Sequence, residues 1–321
     1  MYRFLARRLV QSLVVLAGLS VLLFTLLVYT PGDPVELLAT SLPDVQSEDI
    51  ARLREYYGLD DPVHVRYFKW LRTLATGDLG YSRTYARPVT QLIGQRLGNT
   101  LQLLTAAFIL AVSGGVLVGI YSALHQYSVL DYLATLLSFA GLAMPVFWLG
   151  ILLILFFAVW LPWFPAGGML TPGVAGGWPS LVDRLWHLVL PTFVLGAAGM
   201  ASWVRYSRSS MLEVIRQDYV RTARAKGLRE AVVTRKHALR NALIPIITLF
   251  ALSIPAVLDG AVITETIFSW PGMGLLLFQA VLGHDHAVAM AVLMFLALAT
   301  ILANLFADVA YALVDPRIRY E

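Results

Sequence analysis

The chain has 321 residues, of which 58% are hydrophobic and only 14% charged, with a mean hydropathy of +0.71. A soluble domain carries about 25% charged residues, so this composition excludes a water-soluble globule and points to a bilayer as solvent. The net charge of +4 is small, and the absence of cysteine excludes a disulfide scaffold or a thiolate metal site.

Arg3, Arg7 and Arg8 precede an apolar run from Leu9 to Val28. The run is longer than the apolar part of a secretory signal, and no small-x-small cleavage site follows it. It is therefore expected to be a first, uncleaved membrane span, residues 1–29 with its cytoplasmic end. Crossing a ~30 Å hydrocarbon core at 1.5 Å per residue takes about twenty apolar residues. Six segments qualify: 9–29, 99–122, 132–159, 187–207, 242–264 and 286–312. Pro145, Pro191, Pro245 and Pro255 fall inside these spans, where neighbouring helices can satisfy the freed backbone groups.

Residues 30–98, between the first two spans, read as an extracytoplasmic helical insertion. Ser47 is a cap for a short helix ending at Gly58. Asp61 is the cap of a second, with Pro62 at its first position and Gly77 after its end. On the second helix Val63, Tyr67, Trp70, Leu71 and Leu74 form one apolar stripe. The stripe packs on its own domain or lies at the membrane interface, or else it docks an external partner.

Orientation follows from lysine and arginine. With the N-terminus inside, the inner segments hold Arg3, Arg7, Arg8, ten basic residues from Arg205 to Arg240, and Arg317 and Arg319, fifteen of the twenty-four. Both termini, including the tail 313–321, are predicted to be cytoplasmic.

Residues 208–241, between spans four and five, are long for a connection and read as helix. Ile215, Tyr219 and Ala223 recur every four residues, with arginines on the remaining face. Small residues at Ala223, Ala225 and Gly227 would let another protein's backbone approach closely, and the surrounding arginines would pair with its acids. The charges alone require only that this loop be cytoplasmic.

Arg221-Thr222-Ala223, three residues, Gly227, and then Arg240-Asn241-Ala242-Leu243-Ile244-Pro245 resemble the cytoplasmic coupling motif of type I ABC importer permeases. In the general consensus of that motif Glu-Ala stands where this chain has Arg221-Thr222, and the variant here resembles the dipeptide, oligopeptide and nickel branch. Gly77-Asp78-Leu79-Gly80, Met144-Pro145-Val146-Phe147-Trp148, Thr264-Glu265-Thr266-Ile267-Phe268-Ser269-Trp270-Pro271-Gly272 and Asp315-Pro316-Arg317-Ile318-Arg319 agree with the same branch, so the resemblance covers nearly the whole chain. It implies an all-α integral membrane fold of six transmembrane helices with a permease core over 95–312. It also implies a second homologous permease, two ATP-binding cassette subunits and an external solute-binding protein, in a bacterial cytoplasmic membrane. A coupling helix near Arg216–Val232 would transmit ATPase closure, with Arg216, Tyr219, Arg221, Thr222, Ala223, Arg224, Lys226 and Gly227 as the docking residues. Such a subunit is non-catalytic, with no cofactor or metal of its own and ATP bound by its partners.

Met144, Pro255 and Asp259 are candidates for the substrate path. Asp259 lies in the outer third of span five, and a carboxylate within a bilayer usually faces the bundle interior or water. It would meet the amino terminus of a peptide, or make a structural hydrogen bond between helices. Asp308 is near enough the inner end of span six to snorkel. His284 and His286 form a close pair on an outer loop, and two imidazoles do not complete a transition-metal site.

The three lysines, Lys69, Lys226 and Lys236, do not follow glycine, so a phosphate-cradling Gly-Lys-Ser/Thr loop is absent. His-Glu-x-x-His and Gly-x-Ser-x-Gly patterns are absent too. Import of di- or oligopeptides by alternating access is the expected function. A nickel or glutathione permease of the same fold, a secondary transporter and a passive channel subunit are the alternatives.

Overall fold

The computed structural model describes residues 2–29, 60–253 and 261–314. The expected helix from Ser47 to Gly58, Pro255, Asp259 and the Asp315–Arg319 motif lie outside these residues. The chain divides into two units, one of residues 1–97 and 276–301, the other of 98–275 and 302–321.

In the first unit, helix α1 (Tyr2–Tyr29) meets helix α2 (Val63–Ala75). The predicted stripe on α2 is where the helix is covered: Tyr67, Trp70, Leu71 and Leu74 are half-buried, whereas Val63 at its start is exposed. Phe24 of α1 meets Tyr67 edge-on at 5.4 Å and Trp70 at 5.7 Å, and the Tyr67 and Ser20 hydroxyls are hydrogen-bonded at 2.8 Å. The stripe therefore packs on the chain's own first helix. Gly77 (φ 81°) ends α2 as expected, but Asp61 does not cap it. Helix formation begins one residue later, with the Pro62 carbonyl accepting the amides of Val65 and Arg66, and Asp61 pairs instead with Lys69 at 2.5 Å.

Beyond α2, strands β1 (Tyr81–Ser82) and β2 (Arg87–Pro88) form a short antiparallel hairpin. Asp285, only 2% exposed, accepts the Ser82 hydroxyl at 2.6 Å and the Thr84 amide at 3.0 Å. Its own carbonyl accepts the Ala289 amide in the first turn of the last helix, α12 (His286–Val314). One buried carboxylate thus ties the hairpin to a helix start.

The second unit is a helical bundle. Helix α3 (Val89–Leu124) enters it at Gly98, and α4 (Val129–Ala143) follows, capped by Ser128. Helix α5 (Val146–Leu153) continues as a π-helical stretch, Ile154–Trp160. Segment 132–159, expected as one span, is instead bent by 112° between Ala143 and Val146. Pro145 has no amide to donate and drives Met144 into an extended conformation (φ −83°, ψ 125°), which ends α4. Helix α6 (Trp178–Ile215) carries Pro191 without a break and leads to α7 (Asp218–Ala225). Helix α8 (Glu230–Val232) continues as a π-helical stretch, Val233–Leu239, into α9 (Arg240–Ser253). Helices α10 (Ala261–Ile267) and α11 (Met273–Leu282) precede α12.

Among the described residues four helices are long and apolar enough to cross a membrane, or five with the bent pair taken as one span. The predicted fifth span, 242–264, falls on α9, on residues 254–260 outside the described ones, and on the start of α10.

Helices α3 and α6 approach closely through Gly115 and Gly119, one turn apart. A methyl group at Gly115 would collide with Trp203 and the Met200 carbonyl, and one at Gly119 with the Val204 carbonyl and Ser207. Gly119→Leu is therefore expected to force α3 from α6 and cost about 3 kcal/mol as an overpacked core, read as a lowered unfolding midpoint in detergent. Gly94→Leu, where nothing lies within 4 Å of the added carbon, serves as the control with little effect.

Candidate functional site

Arg216 closes α6, and Gln217 breaks the helical path with an extended conformation (φ −71°, ψ 149°). The Gln217 carbonyl accepts the amides of Val220 at 3.0 Å and Arg221 at 3.2 Å, so α7 starts on backbone contacts alone. Asp218 supplies a carboxylate to the first turn, where it complements the helix dipole. Val220 and Ala223, three residues apart on one face, are buried against Val233 of the returning segment. The opposite face is exposed and carries Tyr219, Arg221, Thr222, Arg224, Ala225 and Lys226, flanked by exposed Arg216 and Arg229.

Gly227 ends α7. Its φ of 70° lies in the left-handed region, and its amide donates to the Arg224 carbonyl at 2.9 Å. Arg224 then reaches past the turn to Glu230, with Nε 3.2 Å from both carboxylate oxygens and Nη2 2.7 Å from Oε1. This hydrogen-bonded fork holds the Glu230 carboxyl below its ordinary value and raises Arg224. Both side chains are exposed, so the pair stabilises by less than about 1 kcal/mol. It orients the turn more than it strengthens it.

The geometry corrects three sequence expectations. Residues 208–241 are not one helix: the path breaks at Gln217 and again at Lys226–Arg229. The break at Gln217 interrupts the four-residue period, which leaves Tyr219 outside and Ala223 inside. Ala223 is therefore small for packing within its own chain, and Gly227 is required by its backbone angle; nothing lies within 4 Å of a Cβ placed there.

The returning segment is seated on the bundle. Ala123 of α3, Met211 of α6, Ala238 and Ala242 form a buried cluster, and the Ser210 hydroxyl donates to the Ala242 carbonyl at 2.9 Å. Beside this seat lies a charged cluster that sequence reasoning missed. Asp131 at the start of α4 is 3% exposed and accepts a two-toothed contact from Arg208 of α6, Nε to Oδ1 at 2.7 Å and Nη2 to Oδ2 at 3.0 Å. The Ser122 hydroxyl of α3 donates to Asp131 Oδ1, and the Tyr127 amide to Oδ2 at 3.0 Å. Ser128-x-x-Asp131 before an apolar run is a capping signature that the sequence does carry, and the Asp131 amide does donate to the Ser128 hydroxyl at 3.2 Å.

Of the path candidates, Met144 lies among the described residues. Met144 lines an apolar cleft of about 260 Å³ with Leu137, Phe193, Ala197 and Val204. A second cleft, of about 410 Å³, is lined by Phe108, Trp203, Leu249 and Ser253. The His284 and His286 rings lie 6.3 Å apart, and among the described residues no three histidine, aspartate or glutamate side chains are grouped to hold a metal. Asp308 lies on α12 and has an interaction partner.

Comparison with known proteins bears on the whole length. Residues 115–320 match the family described as binding-protein-dependent transport system inner membrane component. Residues 1–104 match its N-terminal membrane component. The chain is 44% identical over 321 residues to the oligopeptide transport system permease protein AppB of Bacillus subtilis, covering 100% of both chains. It is 38% identical over 335 residues to the dipeptide transport system permease protein DppB of Alkalihalophilus pseudofirmus, again with 100% of both covered. To the glutathione transport system permease protein GsiC of Salmonella typhimurium it is 37% identical over 321 residues, with the same coverage.

Proposed function

The chain belongs to the binding-protein-dependent transport system inner membrane components, and from that premise we propose that it is one membrane-spanning subunit of an ATP-driven importer of di- and oligopeptides. The relatives that span its full length are named for oligopeptides, dipeptides and glutathione, itself a tripeptide. Because the chain holds no Gly-Lys-Ser/Thr loop, ATP is bound by partner subunits. The assembly comprises this chain, a second homologous permease, two ATPases and an external solute-binding protein, in a bacterial cytoplasmic membrane with both termini inside.

The observation that carries the reading is α7: a short helix with one face buried on its own chain and a basic, aromatic face turned outward. Tyr219, Arg221 and Lys226 supply contact area and charge for an acidic groove on an ATPase. Closure of the ATPase pair on ATP displaces α7. Its seat on Val233 and its short link to α6 pass that displacement into the bundle as rigid-body motion. The core then opens alternately to either side of the membrane. The chain contributes no covalent chemistry.

Purification through a tag on this chain is expected to bring down two ATP-binding subunits and a second permease. Proteoliposomes of that assembly, with its solute-binding protein, are expected to take up peptides only when ATP is hydrolysed. Uptake that collapses a proton gradient and consumes no ATP would overturn the proposal in favour of a secondary transporter.

A further inference from the structure

The Asp131 cluster joins three helices at one buried charge. Ser122 comes from the end of α3, Asp131 from the start of α4 and Arg208 from α6. Ser122 sits between the other two, donating to Asp131 Oδ1 and accepting Arg208 Nε at 3.2 Å. The connection between α3 and α4 holds Tyr127 at φ 63°, a conformation costly for a bulky side chain. Its amide is held there by Asp131 Oδ2 at 3.0 Å. Such geometry persists only where its surroundings over-determine it, and here they do so through one carboxylate.

The position matters as much as the bonds. Arg208 lies on α6 about two turns before Ile215, and α7 follows directly after Gln217. Among the described residues the cluster is therefore the first buried ion pair that a displacement of α7 meets as it enters the bundle. Just beyond it, Gly115 and Gly119 bring the α3 and α6 backbones together, so the helices cannot slide without breaking the charged contact. A planar guanidinium fork resists rotation of one helix against the other, which a single point contact would not.

We infer that Asp131 and Arg208 are positioning residues for transport, locking α3, α4 and α6 into one body that moves with α7. The inference rests on the importer reading above. Without the lock, α7 still docks the ATPases, but α6 turns against its neighbours and the displacement is lost before it reaches the cleft between them. ATP is then hydrolysed without matching movement of peptide.

The test uses the complete assembly in proteoliposomes, measuring peptide uptake and ATP hydrolysis on the same samples. ATP-driven uptake by the wild-type assembly checks the importer reading separately. For Asp131→Asn the peptide moved per ATP is expected to fall about tenfold, the scale of an ordinary coupling between sites, with ATPase association retained. Arg208→Lys, which keeps the charge and loses the fork, is expected to fall less, and Ser122→Ala less again. The double variant Asp131→Asn with Arg208→Gln is expected to be no worse than the worse single one, since both remove the same contact. If uptake and hydrolysis fall by the same factor in Arg208→Lys and Ser122→Ala, or if the single losses multiply in the double variant, the cluster only holds the fold and the inference is wrong. Should Asp131→Asn fail to assemble, those two milder variants decide the question.

Discussion

Replacing Glu265 with alanine is expected to destabilise the protein by about 3 kcal/mol, through buried amides left without an acceptor at about 1–3 kcal/mol each. Glu265 on α10 is fully buried. Its carboxylate accepts the Thr100 hydroxyl at 2.7 Å and the amides of Gly274 at 2.7 Å and Leu275 at 3.1 Å. The last two are orphan donors at the start of α11, so Glu265 caps that helix from another element. Thr100 in turn accepts the Met273 amide at 2.7 Å, and the Trp270 indole donates to the Asn99 carbonyl at 2.9 Å. Glycine is required alongside: a methyl at Gly272 would land on the Glu265 carboxylate, and one at Gly274 would strike Val262. Glu265→Gln keeps one carbonyl oxygen for the amides and is expected to cost about 1 kcal/mol, the worth of an ordinary hydrogen bond. Chemical unfolding in mixed micelles checks both. An alanine variant that unfolds at the wild-type midpoint would show that α11 is capped by something other than this carboxylate.

What was legible in the sequence and what was not divide by the range of the interaction. The α2 stripe, the stop at Gly77 and the basic character of 208–241 are local properties, and each is present where the residue pattern puts it. Pro145 is plain in the sequence inside segment 132–159, but the 112° bend beside it depends on what α4 and α5 pack against. The partners of Asp131, Glu265 and Asp285 lie 77, 165 and 203 residues away, respectively Arg208, Thr100 and Ser82. No periodicity links such pairs. Membrane helices add a further difficulty, because lipid and protein neighbours are both apolar and the covered face leaves little trace in composition. At the candidate site the local geometry gives two of the small residues roles within the chain itself. Ala223 and Gly227 read as a platform for a partner's backbone, whereas the structure uses one for internal packing and the other for a turn.

That difference sets the outcome of substitution at Gly227. Gly227→Val is expected to abolish ATPase association, and with it uptake, while membrane insertion stays normal. A β-branched residue at φ 70° is strained by roughly 1–2 kcal/mol. The turn relieves that strain by opening, which separates Arg224 from Glu230 and lifts α7 from Val233. Asn visits the left-handed region far more readily than Val, and there is open space around the position. Gly227→Asn is therefore expected to retain most association although its side chain is as bulky as valine. Close approach by a partner predicts the opposite, because any side chain would then be excluded according to size. Co-purification of the ATPases with the two variants separates the two accounts. Equal loss in both would place the partner's backbone against Gly227 and remove the turn as the reason this loop needs a glycine.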